Sequence, residues 1–77
     1  MTTIELTIFQ EQFLVDLSVV GTLTISMVQI QEKYANIASK ASIKRNVNAL
    51  VSDGIIKRHH FKIIHNGKIT STTIYQI

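Results

Sequence analysis

The chain has 77 residues, 45% of them hydrophobic, no cysteine and a formal net charge of +3. That length makes one domain with a single small core, and the missing cysteine excludes disulfides and thiolate metal sites. No apolar run exceeds three residues and MTTIELTIFQEQF lacks the regions of a signal peptide, so no membrane span and a soluble, cytoplasmic protein are expected.

Residues 2–6 (TTIEL) alternate polar and apolar and read as a short extended lead-in. Thr7 followed by Gln10 is a capping-box pair, predicting a first helix from about Ile8 to Val19. Phe9, Phe13, Leu17 and Val20 recur at helical spacing as its core stripe, and Gly21 ends it. TLT at 22–24 suits a very short strand. Thr24 or Ser26 then caps a second helix, roughly Ser26 to Tyr34, that buries Met27 or Val28, Ile30 and Tyr34. Ala35-Asn36 makes a tight turn, with Ile37 expected to plug the gap between helices. Ser39 caps a third helix that begins at Lys40.

The third helix carries the most functional information. Ile43, Val47, Leu50 and Val51 form one apolar stripe, while Ala41, Ser42, Arg45, Asn48, Ala49 and Ser52 occupy the opposite face with Lys44 on its flank. That face is small, hydrogen-bonding and cationic, with no acid before Asp53. A DNA major groove accepts such a surface, where bulk would clash and carboxylates would be repelled by phosphate.

After Gly54 two runs flank Asn66-Gly67, the strongest short-range signal for a β-hairpin. A two-residue loop sets His65 opposite Lys68, Ile64 opposite Ile69, Phe61 opposite Thr72 and His59 opposite Ile74. Imperfect alternation leaves room for a bulge near His59-His60. The charge is lopsided: residues 1–39 set four acids against Lys33, a net −3, whereas residues 40–77 set seven cations against Asp53, a net +6. Segregation on this scale points toward a polyanionic partner rather than mere solubility.

The order of elements, with S-I-x-R-x-V-x-x-L-x-x-x-G-I-I-x-R at Ser42, Ile43, Arg45, Val47, Leu50, Gly54, Ile55, Ile56 and Arg58, resembles the winged helix-turn-helix family of DNA-binding regulators over about residues 22–77. The chain is similar in size to minimal regulators of archaeal plasmids and viruses. It departs from the family in the second turn (YANIASKAS), which lacks the usual glycine, and a ligand-binding domain after the hairpin is not expected. The resemblance implies an α+β winged helix-turn-helix domain over residues 1–77, with a recognition helix at about 40–53 and a wing at about 55–77. It implies a sequence-specific double-stranded DNA-binding protein, a transcriptional repressor acting by promoter occlusion.

On that arrangement Arg45 suits a bidentate contact to guanine, Asn48 a contact to adenine, and Ser42 a base or a phosphate. Ala41 and Ala49 permit close approach, Ser52 adds a hydroxyl, and Lys40 and Lys44 suit phosphates. At the wing, His65, Asn66, Gly67 and Lys68 approach backbone or minor groove, with Lys62 further down. Lys57 and Arg58, near the hairpin base, either join them or pair with acids of the first helix. His59 and His60 point to opposite faces, with His65 roughly 20 Å away, so a metal site is not expected. With no phosphate loop, no nucleophile beside a base and no carboxylate pair in the basic half, neither an enzyme nor a cofactor or small-molecule site is expected.

Two other classes compete. One is a winged helix that docks a protein within a replication or transcription assembly. The other, binding of RNA or single-stranded DNA, has only Phe61 and Tyr75 in the basic half for base stacking. The 2–9 stretch (TTIELTIF) either pairs two copies into a homodimer or completes the core.

Overall fold

The computed structural model describes residues 6–77, so the lead-in read over residues 2–6 lies, except for Leu6, outside the described residues, as does most of the stretch proposed to pair two copies. Along the described residues the chain forms α1 (Ile8–Val20), β1 (Thr22–Thr24), α2 (Met27–Lys33), α3 (Lys40–Ser52), β2 (Lys57–His65) and β3 (Lys68–Gln76). This is an α+β arrangement of three helices and a three-stranded antiparallel sheet ordered β1-β3-β2.

Each helix starts on a hydroxyl that satisfies an amide left open in its first turn. Thr7 Oγ1 accepts from Gln10 N at 3.1 Å, and Gln10 Oε1 accepts from Thr7 N at 3.0 Å. Ser26 and Gln29 repeat this reciprocal pair, so Ser26, not Thr24, caps α2. Ser39 Oγ accepts from Ser42 N to begin α3. That helix ends at Ser52 with Asp53 as its cap. Gly54 then takes φ +73°, which a side chain would strain, and turns the chain so that Ile55 N and Ile56 N both reach the Leu50 carbonyl.

The core joins Phe9, Phe13 and Leu17 of α1 to Ile30 and Tyr34, to Ile43, Val47 and Leu50 of α3, and to Ile56 and Tyr75. Phe13 sits at the centre of its aromatic part, edge-on to Tyr34 and to Tyr75, each with ring centroids 6.0 Å away. The Tyr34 phenol donates to Asp16 Oδ2, joining the end of α2 to α1. This bond is the main reason the Asp16 carboxyl is held below its usual value; Gln12 and Lys33 add to it, against an opposing effect of burial. Burial and the same carboxylate push the Tyr34 phenol well above its usual value.

Two expected core positions, Val20 and Ile37, are corrected, and the alternative of Met27 or Val28 falls to Met27. Val20 is 57% exposed because α1 ends there and Gly21 leads the chain away. Val28 is 62% exposed, and half-buried Met27 packs on the core in its place. Ile37 is 44% exposed. The amides of Ile37 and Ala38 both fold back on the Tyr34 carbonyl, and the narrow gap admits the methyl of Ala38 instead.

The hairpin keeps a continuous register from Lys57↔Gln76 to His65↔Lys68, with no bulge at His59-His60. Asn66 (φ 52°) and Gly67 (φ 75°) supply the two positive torsions that a two-residue turn of this hand requires. Among the described residues, β1 pairs only with Ile74–Gln76, and Ile25 N donates to the Thr73 carbonyl, so that beyond Thr73 the described hairpin continues as two strands. The described residues span 50 Å along their longest axis, and their radius of gyration is 13.7 Å. A compact chain of this length has a radius of about 11.5 Å, so the excess reflects the projecting hairpin.

Candidate nucleic-acid interface

α3 packs its Ile43, Val47 and Leu50 side inward, which turns Ala41, Arg45 and Ser52 fully outward. Lys40 and Lys44 are exposed as well. Ser42, Asn48 and Ala49, expected on the same open face, are only half-exposed, because they lie on its flanks where other elements meet the helix. On one flank, Asn46 Nδ2 donates to Ser42 Oγ at 3.3 Å, and the Asn46 carbonyl accepts from Gln10 Nε2 at 3.2 Å. On the other flank, Arg58 Nη1 of β2 donates to Asn48 Oδ1 at 2.7 Å. Near the start of the helix, Gln31 Nε2 of α2 donates to the Lys40 carbonyl at 3.0 Å. Among the described residues, α1, α2 and β2 each hold α3 through a side-chain hydrogen bond, and none of these bonds engages Ala41, Arg45 or Ser52.

These bonds bear on two expectations. Arg58 does not pair with an acid of α1; it turns to Asn48, ten residues back, because the chain reverses at Gly54 and sets the base of β2 beside α3. Asn48, expected to contact adenine, spends one of the two lone pairs of its Oδ1 on Arg58. Sequence reasoning missed Gln10 and Gln31 as clamps on α3. Gln10 could have been found: it shares a helical stripe with Phe13 and Leu17 and is buried at 7% exposure. A polar residue on a core stripe marks a buried hydrogen bond.

Pairing partners of an antiparallel ladder share a face, so the register divides the hairpin in two. Arg58, His60, Lys62, Ile64, Ile69, Ser71 and Thr73 lie on the face of buried Tyr75, the side toward α3. Lys57, His59, Phe61, Ile63, His65 and Lys68 lie on the other face. Lys62, His65, Asn66 and Lys68 are all exposed, but the structure brings only Lys62 to the helix side, while His65 and Lys68 stand across the tip from it. His60 Nδ1 lies 3.0 Å from Thr73 Oγ1, and the His59 ring lies near Phe61 on the opposite face. Among the described residues no group of three or more His, Asp or Glu side chains is placed to hold a metal ion, and no helix is long and apolar enough to cross a membrane.

The result is a cationic, acid-free helix strip beside a projecting strand pair that carries further cations on both faces. Its chemistry is donor-rich: guanidinium, ammonium, hydroxyl and imidazole groups over small side chains, a surface that attracts phosphate and base-edge acceptors. Compared with known proteins, the chain matches no protein-family model, no curated protein and no solved structure.

Proposed function

We propose that this chain is a winged helix-turn-helix protein that binds double-stranded DNA with sequence preference and represses transcription by occluding a promoter. α3 enters the major groove, and the hairpin lies along the backbone or minor groove. The observation that carries this reading is the pairing of the Ala41–Arg45–Ser52 strip, free of acids up to Asp53, with a projecting hairpin bearing Lys62 and Lys68. The element order and the sheet order β1-β3-β2 add support. In this reading Arg45 reads a base edge, while Lys40, Lys44, Lys62, His65 and Lys68 meet phosphates.

A gel-shift titration across salt concentrations tests it. About five to seven phosphate contacts give a log–log slope of about −4.5 to −6. A flat slope, or no shift with any duplex, removes the DNA reading.

One observation favours a second reading, a module that docks a protein partner. Phe61, Ile63, Ile64 and Ile69 are 48–74% exposed on the hairpin, and Ile8, Val15 and Val19 are 56–80% exposed on α1. Binding to a partner that changes little with salt, in a chain that ignores DNA, would select this reading.

A further inference from the structure

Resting on the DNA-binding reading, we propose that Asn48 and Arg58 together read hydrogen-bond acceptors only, selecting guanine N7 or O6 or thymine O4 and rejecting the amino groups of adenine and cytosine. A free asparagine reads adenine with two bonds, giving an N–H to N7 and accepting from the 6-amino group. The second of these needs Oδ1. Here Arg58 Nη1 lies 2.7 Å from that atom. A guanidinium has five donors and no acceptor, so the asparagine atom that faces it must be the oxygen. The separation is in the range of charge-assisted bonds. Both partners are half-buried and on regular structure, Asn48 next to buried Val47 and Arg58 opposite buried Tyr75, so the amide is held in one orientation.

The consequence is a reversal of preference. Arg58 takes one of the two lone pairs of Oδ1 and sets a cationic group beside the other, so an adenine or cytosine amino group approaching there is opposed donor against donor. What Asn48 has left to offer is its Nδ2 hydrogens, and Arg58 keeps further N–H groups beside them. Arg45 lies one turn earlier on the same side of α3, three positions from Asn48, and is likewise donor-only. Three donor-bearing side chains thus stand on this side of α3, which is matched by neighbouring bases whose major-groove edges present acceptors: guanines, or guanine next to thymine.

The test selects duplexes from a random library with the full chain, then titrates the best duplex with base analogues in place of individual bases. Replacing a contacted guanine with 7-deazaguanine, or removing the O4 of a contacted thymine, is expected to weaken binding about tenfold. Purine without the 6-amino group, in place of any adenine, is expected to leave affinity unchanged. Arg58→Met frees Oδ1 and is expected to create a dependence on an adenine 6-amino group that the wild type lacks. Asn48→Asp, which still accepts from Arg58 but has nothing to donate, is expected to lose affinity at one base pair while keeping its melting temperature. Dependence of the wild-type protein on a 6-amino group would overturn the proposal, and that arm needs no variant to fold. Equal weakening of all sequences by Asn48→Asp would also overturn it, since a phosphate contact behaves that way. Retention of no duplex at all is a different result, and it removes the DNA-binding reading itself.

Discussion

Gln10 Nε2 donates to the main-chain carbonyl of Asn46 across 36 positions of sequence, while its Oε1 accepts from Thr7 N. One side-chain amide thus closes the first turn of α1 and fixes that helix to the middle of α3. Both of its ends are engaged, and the residue is buried. Gln10→Ala should lower the unfolding free energy by about 1–3 kcal/mol in urea denaturation. Gln10→Glu keeps the cap but sets a carboxylate against the Asn46 carbonyl, acceptor against acceptor. Its loss should be at least as large at neutral pH and should shrink in acid as the carboxyl regains a donor. A Gln10→Glu protein as stable as wild type at pH 7 would show that the bond to Asn46 contributes nothing.

The Tyr34–Asp16 bond makes stability depend on pH at both ends. Asp16 is held below its ordinary value of 3.8, chiefly by the Tyr34 hydroxyl, so the folded chain binds fewer protons there than the unfolded one. Its contribution is complete above that ordinary value and is lost as pH falls through the depressed folded value. Tyr34 is shifted upward from 10.0, so its contribution is complete below pH 10 and is lost as the phenol ionises at higher pH. Tyr34→Phe should flatten both limbs of a stability–pH curve measured by denaturant titration. Unchanged limbs would mean that the bond does not form in solution.

Arg45 and Lys68 should fail differently. Arg45→Ala should cost about 1–3 kcal/mol on the preferred duplex and relax discrimination at one position. Lys68→Ala should weaken every duplex alike and reduce the salt slope by about 1. Parallel titrations on matched and scrambled duplexes separate the two patterns, and an equal loss across sequences for Arg45→Ala would reassign it to phosphate.

The turn offers a local test. Gly67 sits at φ 75°, so Gly67→Ala adds strain of about 1–2 kcal/mol. The strands beyond Thr73 touch no helix core, so the helical melting transition should move little. Amides of residues 61–72 should exchange roughly 5–30 times faster, and duplex binding should weaken with them. Unchanged exchange in that segment would show that the turn does not control the hairpin.

Local chemistry was legible in the sequence wherever one short segment decides the outcome. The Thr7–Gln10 box, the Ser39 cap and the whole register set by Asn66-Gly67 belong to that class. Ser26–Gln29 was legible as well, since it repeats the spacing of Thr7–Gln10, and that spacing chooses Ser26 over Thr24. What periodicity does not decide is which of several apolar side chains at an element's end finds a partner: Val20 and Ile37 stand outside, and of Met27 and Val28 it is Met27 that packs inward. Arg58 illustrates the same limit for polar groups. Its reach covers several candidate partners, and only the reversal at Gly54 brings Asn48 within 2.7 Å. Of the candidate interface, Arg45, Lys40 and Lys44 are as open as expected, while Asn48 is committed elsewhere.

The hairpin beyond Thr73 divides the chain's mutational freedom. A two-stranded ribbon with both faces in solvent is marginal by itself and contributes little to the core it leaves behind. Substitutions between Phe61 and Ser71 can therefore exchange charge, aromatic surface or length while the helices hold their positions. α3 has no such latitude, because Gln10, Gln31 and Arg58 each fix a part of it. Under selection for new partners, a chain built this way would drift first at its ribbon and last at its helix.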